Sequence, residues 1–320
     1  MARYLVTGGA GFIGSNLVRA LAQAGERVRV VDDLSTGYWE NLGELRGDSR
    51  VECITADIRD AAAMAAACRG VEVVFHEAAL GSVPRSIETP VSSDSVNTNG
   101  TVTVLDAARH AGVRRVLFAA SSAAYGDTPT LPKHEAMPTS PLSPYAVTKV
   151  AGELYMKVFA SLYGIETLSL RYFNVFGPNQ RPDGAYAAAI PRFVWAALHD
   201  EELTIYGDGE QTRDFCFVDN AVSANLLGAS SPKKLTGEIV NIAGSRRVSL
   251  NALIVELGKV LGGPPKSRND PPRAGDVRHS LADVELAREL IGYEPKVRWE
   301  DGLPSTVDYL RGLSRSRGNA

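Results

Sequence analysis

From its start to Gly177 the chain alternates short runs of β-branched and aliphatic residues with longer stretches whose apolar positions recur every three or four residues. The short runs "RYLVTG", "RVRVVDD", "VECITAD", "VEVVFHEAA", "VRRVLFAASS" and "ETLSLRYFNVFG" read as strands buried on both faces. Between the first two, Ile13, Leu17, Leu21 and Ala24 fall on one helical stripe that stops at Gly25. The stretches Thr98 to Ala111 and Tyr145 to Tyr163 also carry helical spacing. Strands separated by helices predict an α/β fold with a doubly wound parallel sheet.

After "FGPNQRPDG" the pattern loosens, with prolines at 178, 182, 191, 264, 265, 271 and 272. We therefore expect one domain over residues 1–177 and a smaller α/β domain over 178–320. Within the second, "TRDFCFVDN" and "EIVNIAG" read as strands, and the segment 212–245 is left free to rejoin the first sheet. Composition narrows the partners. A 320-residue chain with 44% hydrophobic residues buries a large core, and a net charge of −3 leaves no basic footprint for nucleic acid. Cys53, Cys68 and Cys216 form no CxxC pair and the five histidines show no ligand spacing, so no metal is expected. No run approaches the length of a membrane span, which predicts a cytoplasmic protein without membrane contact.

Candidate chemistry starts at "VTGGAGFIGS". Gly8, Gly11 and Gly14 follow a strand and open a helix at Phe12 and Ile13, where bare backbone and a helix N-terminus suit a pyrophosphate. Asp32 ends the second strand at the distance where an acid meets a ribose diol and repels a 2′-phosphate, selecting NAD over NADP. Asp57 and Ile58, after the third strand, are placed for adenine; a helix cap is the other use of Asp57. In "SPYAVTK", Tyr145 and Lys149 leave one face of a helix, one turn apart. Ionising a phenol at neutral pH costs about 4 kcal/mol. An ammonium about 4 Å away at an effective dielectric of about 20 supplies a similar amount.

Together, "TGGAGFIGS", "DIRD", "HEAA", "VNTNGT", "SSAAYGD", "SPYAVTK", "RYFNVFGPNQ", "GDGEQTRDFCFVDN" and "RAGDVRHSLAD" span nearly the whole chain. In them the sequence resembles the extended short-chain dehydrogenase/reductases with a Rossmann domain. Within that group it is similar to the UDP-hexose 4-epimerases, in the branch of the UDP-N-acetylglucosamine 4-epimerases. The resemblance implies NAD-dependent inversion at C4 through a 4-keto sugar, with Tyr145 as base, Ser121 on the reacting hydroxyl and Ser122 beside it. It implies that Ala78, Ala79 and Leu80 line the cofactor and that Asn97 supports the active-site helix. Arg213, Arg273 and Asn174 are implied for the UDP diphosphate, Tyr206 for the uracil, and Asp276 for the ribose or for a salt bridge to Arg273. Ser280 stands where epimerases restricted to UDP-glucose and UDP-galactose carry tyrosine, which implies room for an N-acetyl group. Gly81 replaces a lysine of some hexose epimerases, with Arg85 as a substitute cation. A 4,6-dehydratase or decarboxylase is disfavoured because Ser122 and Ala123, not carboxylic acids, follow Ser121. UDP-glucuronate 4-epimerisation stays open, and a non-catalytic NAD sensor is disfavoured by the intact Tyr145 and Lys149. Val102, Leu105, Leu154, Val158 and Leu162 put apolar residues on more than one face of two helices, and the resemblance implies that these helices pair in a homodimer.

Overall fold

The computed structural model describes residues 2–182, 188–271 and 278–318. Seven parallel strands form the central sheet. In chain order its first six are β1 (Tyr4–Thr7), β2 (Val28–Asp32), β3 (Val51–Thr55), β4 (Val73–His76), β5 (Arg115–Ser121) and β6 (Glu166–Tyr172). The seventh, Thr236–Ile242, pairs with β6 at the edge, so the "EIVNIAG" segment does rejoin the first sheet. Strand order is edge strand, β6, β5, β4, β1, β2, β3. Successive side chains on each strand serve opposite faces: Leu5, Val74 and Val116 pack into one core layer, while Val6, Phe75 and Leu117 pack into the other.

The strand order reverses between β1 and β4, where crossovers leave on opposite faces and a crevice opens at the carboxyl ends. That reversal places the turn after β1 next to the turn after β4. The first helix, Phe12–Gln23, buries Leu17 and Leu21 as the apolar stripe requires, and Gly25 at φ +82° ends it.

Two other predicted elements differ. The helix expected over Thr98 to Ala111 runs Gly100–His110, preceded by a π-type turn over Ser95–Asn99. The wider turn carries Asn97 inward, where it is 2% exposed. "TRDFCFVDN" is no single strand: Thr212–Asp214 pairs with Arg247–Ser249, Cys216–Phe217 pairs with Val175–Phe176, and a helix starts at Val218. A bend at Phe215 lets these few residues serve two different small sheets.

Tyr145 and Lys149 lie on the helix Pro144–Tyr163, started by Ser143, whose hydroxyl accepts from the Ala146 N–H, and by a proline at its first position. This helix packs on β5 and β6, and there Glu153 meets Arg171 in a two-pronged pair at 2.7 Å, both residues 2% exposed. On the opposite flank Leu154, Val158 and Leu162 face outward, whereas Leu105, on the helix Gly100–His110, is fully buried in the core. No described helix is long and apolar enough to cross a membrane.

Candidate active site

At the carboxyl ends of β1, β2, β4 and β5 a cavity of about 710 Å³ gathers most of the predicted residues. Gly8, Gly11, Phe12, Ile13 and Gly14 form one end of its wall. The backbone there leaves no room for side chains. A Cβ on Gly14 would stand 2.2 Å from the Gly8 carbonyl oxygen, and one on Gly8, at φ +69°, would stand 2.7 Å from the backbone of Ala78. Asp32 lines the same end, held by N–H donors of Ala10 at 3.0 Å and Leu34 at 2.9 Å. Burial raises its pKa while those two donors hold it down, and among the described residues it has no ion pair. Ile58 is in the wall, but Asp57 is not: its carboxylate is taken up by Arg59, with Nε at 3.0 Å from both oxygens.

Ala78, Ala79 and Leu80 line the middle of the cavity. Asn97 stands behind them. Its Oδ1 accepts from the Leu80 N–H at 2.8 Å, while its Nδ2 donates to the Leu80 carbonyl and to Thr148 Oγ1. One buried amide thus ties the loop after β4 to the helix that carries Tyr145 and Lys149. Gly81 and Arg85 also lie in the wall.

At the far end Ser121, Ser122, Tyr145 and Lys149 come together. Lys149 is 3% exposed; its Nζ donates to the Ala119 carbonyl at 2.7 Å and lies 5.8 Å from the centre of the Tyr145 ring. Burial lowers its pKa to about 8, against the pull of Glu77 and Glu153. The phenol of Tyr145 departs from the expectation. Burial raises its pKa, and the counteracting influence is the hydrogen bond with Ser121 rather than the ammonium, whose contact is with Ala119. The chain's own groups therefore keep the phenol protonated at neutral pH, and its ionisation calls for a further positive charge.

The outer residues are less gathered. Asn174, at φ +36°, lines the cavity and donates through Nδ2 to the Asp214 carbonyl at 3.1 Å and to Ser280 Oγ at 3.2 Å. Ser280 thus sits directly behind a wall residue. Arg213 and Tyr206 are not in the wall: the Arg213 guanidinium donates to the Thr212 and Arg278 carbonyls, and the Tyr206 ring lies under Arg192. Arg273 and Asp276 lie outside the described residues.

Residues 4–243 match the profile of the NAD dependent epimerase/dehydratase family. The chain belongs to that family. It is 40% identical over 315 residues to a UDP-glucose 4-epimerase of Mycolicibacterium smegmatis, covering 98% of this chain and 100% of the relative. A UDP-N-acetylglucosamine 4-epimerase of Methanobrevibacter ruminantium, solved in complex with UDP-N-acetylmuramic acid, superposes with a TM-score of 0.92 at 37% identity, covering 98% of this chain and 99% of that one. The Thermus thermophilus UDP-glucose 4-epimerase, solved with NAD, superposes with a TM-score of 0.87 at 34% identity over 97% and 99% of the two chains.

The family's cofactor is NAD, and the residues present fit it. The glycine turn is a cradle that any Cβ would fill, and an unpaired acid waits where a ribose diol needs an acceptor and a 2′-phosphate would be repelled. Sequence reasoning missed further wall residues in this member of the epimerase family, among them Asp33, Ser35, Glu77, Tyr172, Gln180 and Arg181. Arg181 lies 3.6 Å over the Tyr38 ring, a contact between distant loops with no signature in the sequence. Glu77 had one. It is a carboxylic acid directly after the apolar strand β4, inside "HEAA".

Proposed function

We propose that this chain inverts C4 of UDP-hexoses, acting on UDP-GlcNAc and UDP-GalNAc as well as on UDP-Glc and UDP-Gal. The observation that carries this reading is the meeting, in one cavity, of the glycine cradle and Asp32 with Tyr145, Lys149 and Ser121. NAD, when bound, supplies a hydride acceptor and returns what it takes, so the net redox change is zero and the cofactor stays through turnover. Tyr145 removes the proton of the 4-hydroxyl and later gives it back, with Ser121 hydrogen-bonded at the reacting oxygen. Lys149 supplies positive charge next to a phenol that burial otherwise keeps neutral. Asn97 sets the registry between the loop after β4 and the helix of Tyr145. Arg213, Arg273, Tyr206 and Asp276 take the nucleotide, and Asp57 meets the adenine through its backbone, its carboxylate being engaged with Arg59. The smaller domain over 178–320 supplies this nucleotide side, with 212–245 returning to the sheet.

Substrate breadth is assigned to Ser280. Its short side chain meets Asn174 at the wall, and a phenol in its place would have to displace that amide or crowd the cavity beside it. Ser280→Tyr is expected to lower kcat/KM for UDP-GalNAc by at least about 10-fold relative to UDP-Gal, the scale of a steric mismatch of a few heavy atoms. Steady-state rates on the four sugars check this. Equal loss on both substrates would remove Ser280 from the role. Leu154, at 60% exposure, and Leu162, at 69%, stand outward on the helix Pro144–Tyr163, and we assign that face to a homodimer. Light scattering on the purified chain reads its mass directly.

A further inference from the structure

Glu77 lines the cavity, and no step of the reaction described above uses it. Two residues orient it. Asn225, fully buried on the helix Val218–Ser230, donates from Nδ2 to the Tyr172 hydroxyl oxygen at 2.6 Å and to the Ala221 carbonyl at 3.0 Å. With an oxygen lone pair so occupied, the hydroxyl turns its single proton to Glu77 Oε1, at 2.9 Å. The relay runs from a helix on one face of the sheet, across β6, to the end of β4. It fixes the carboxylate of a residue that lines the same pocket as Tyr145 and Lys149.

The charges acting on Lys149 can be taken element by element. On its own helix, Glu153 is bound by both prongs of Arg171 on β6, so the two largely cancel. On β4, His76 is fixed between the hydroxyls of Thr7 and Thr101, and burial lowers its pKa to about 3, leaving it neutral. Tyr145 and Tyr172 carry no charge while their phenols are held up by burial. From β5 Lys149 meets a carbonyl, that of Ala119, and the ring of Phe118. Glu77 is the acid acting on Lys149 that, among the described residues, is left without a salt bridge of its own. Burial raises it to about 7, the Tyr172 hydroxyl and the Lys149 charge pull it down, and Lys149 lies at about 8.

We propose that Glu77 is a positioning residue of this site: its carboxylate, aimed by Asn225 and Tyr172, keeps the Lys149 amine charged and in place next to Tyr145. The inference rests on the reading of Tyr145 and Lys149 as the reacting pair. The sign follows from the charges. Burial strips the proton from Lys149 and Glu77 restores it, so neutralising Glu77 moves the loss of the ammonium to lower pH.

The test is a direct titration of Lys149 in the full chain as purified, with lysine labelled at Cε with ¹³C and the resonance assigned by its absence in Lys149→Arg. In Glu77→Gln the Lys149 midpoint is expected to fall by roughly one pH unit, the scale of one nearby buried charge. The alkaline limb of the kcat profile follows it by a similar amount, and Glu77→Asp returns most of the shift by restoring the charge. Tyr172→Phe keeps the acid and removes its donor, so it moves the midpoint the same way by less; it also serves if the glutamine variant does not fold. An unmoved midpoint in a folded Glu77→Gln or Tyr172→Phe protein overturns the proposal. Because the titration is read without sugar nucleotide, it stands or falls apart from the choice of substrate.

Discussion

Tyr145→Phe is expected to fold and bind as the parent does while losing about 10³-fold or more in kcat, at the upper range of a positioned acid/base. The ring is packed within the cavity wall, and phenylalanine keeps that ring, so core volume is unchanged. What disappears is the oxygen proposed to take the 4-hydroxyl proton. Ser121 remains, but a serine hydroxyl is a poor base at neutral pH, and its side chain also caps the Ser122–Tyr125 turn by accepting from the Ala123 N–H at 3.2 Å. The measurement is the single-turnover rate on UDP-Gal, paired with thermal unfolding to show that the fold persists. A variant that keeps turnover near the parent's would falsify the assignment of the base, because no other wall residue combines that reach with a titratable oxygen on the same helix as Lys149.

Gly14→Ala is expected to abolish cofactor retention. The added methyl would stand 2.2 Å from the Gly8 oxygen, 2.8 Å from Gly9 Cα and 2.9 Å from the Gly8 carbonyl carbon, all backbone atoms that cannot rotate away. The turn must open, which shifts the first-helix N–H groups off the site of the pyrophosphate. Overpacking of this kind costs about 1–3 kcal/mol. Carried into binding, that is roughly 10- to 100-fold in affinity, and more if the helix start is displaced. Protein from such a variant should come off the column without bound dinucleotide, as read by absorbance after denaturation, and should show a lower Tm. Stoichiometric dinucleotide at purification would show that the cradle tolerates the methyl and that its closeness is unrelated to binding.

Both predictions concern residues that local pattern made legible. A glycine turn between a strand and a helix, and a tyrosine and lysine one turn apart, are short-range features whose physics is contained in a few consecutive residues. All six strands expected in the first half are present for the same reason, since apolar runs in a parallel sheet need no partner to be recognised. Legibility faded where a charged side chain has more than one partner within reach. Asp57 read as an adenine contact, yet Arg59 two residues on binds its carboxylate. Arg213 read as a phosphate ligand, yet its guanidinium folds back on carbonyls of residues 212 and 278. In both, the fold supplies a partner for the charged group that the motif did not announce.

By itself the sequence determined the class of the sheet, the cofactor-shaped turn with its acid at Asp32, and the candidate pair Tyr145 and Lys149 one helical turn apart, because each is written in periodicity or in short spacing along the chain. Tertiary structure alone decided how the pair is charged. The carbonyl that receives Lys149, the burial that keeps Tyr145 protonated, and the acid at Glu77 aimed through Tyr172 and Asn225 come from four separate strands and helices. Electrostatics depends on distance and desolvation through space, and neither quantity is encoded in separation along the chain.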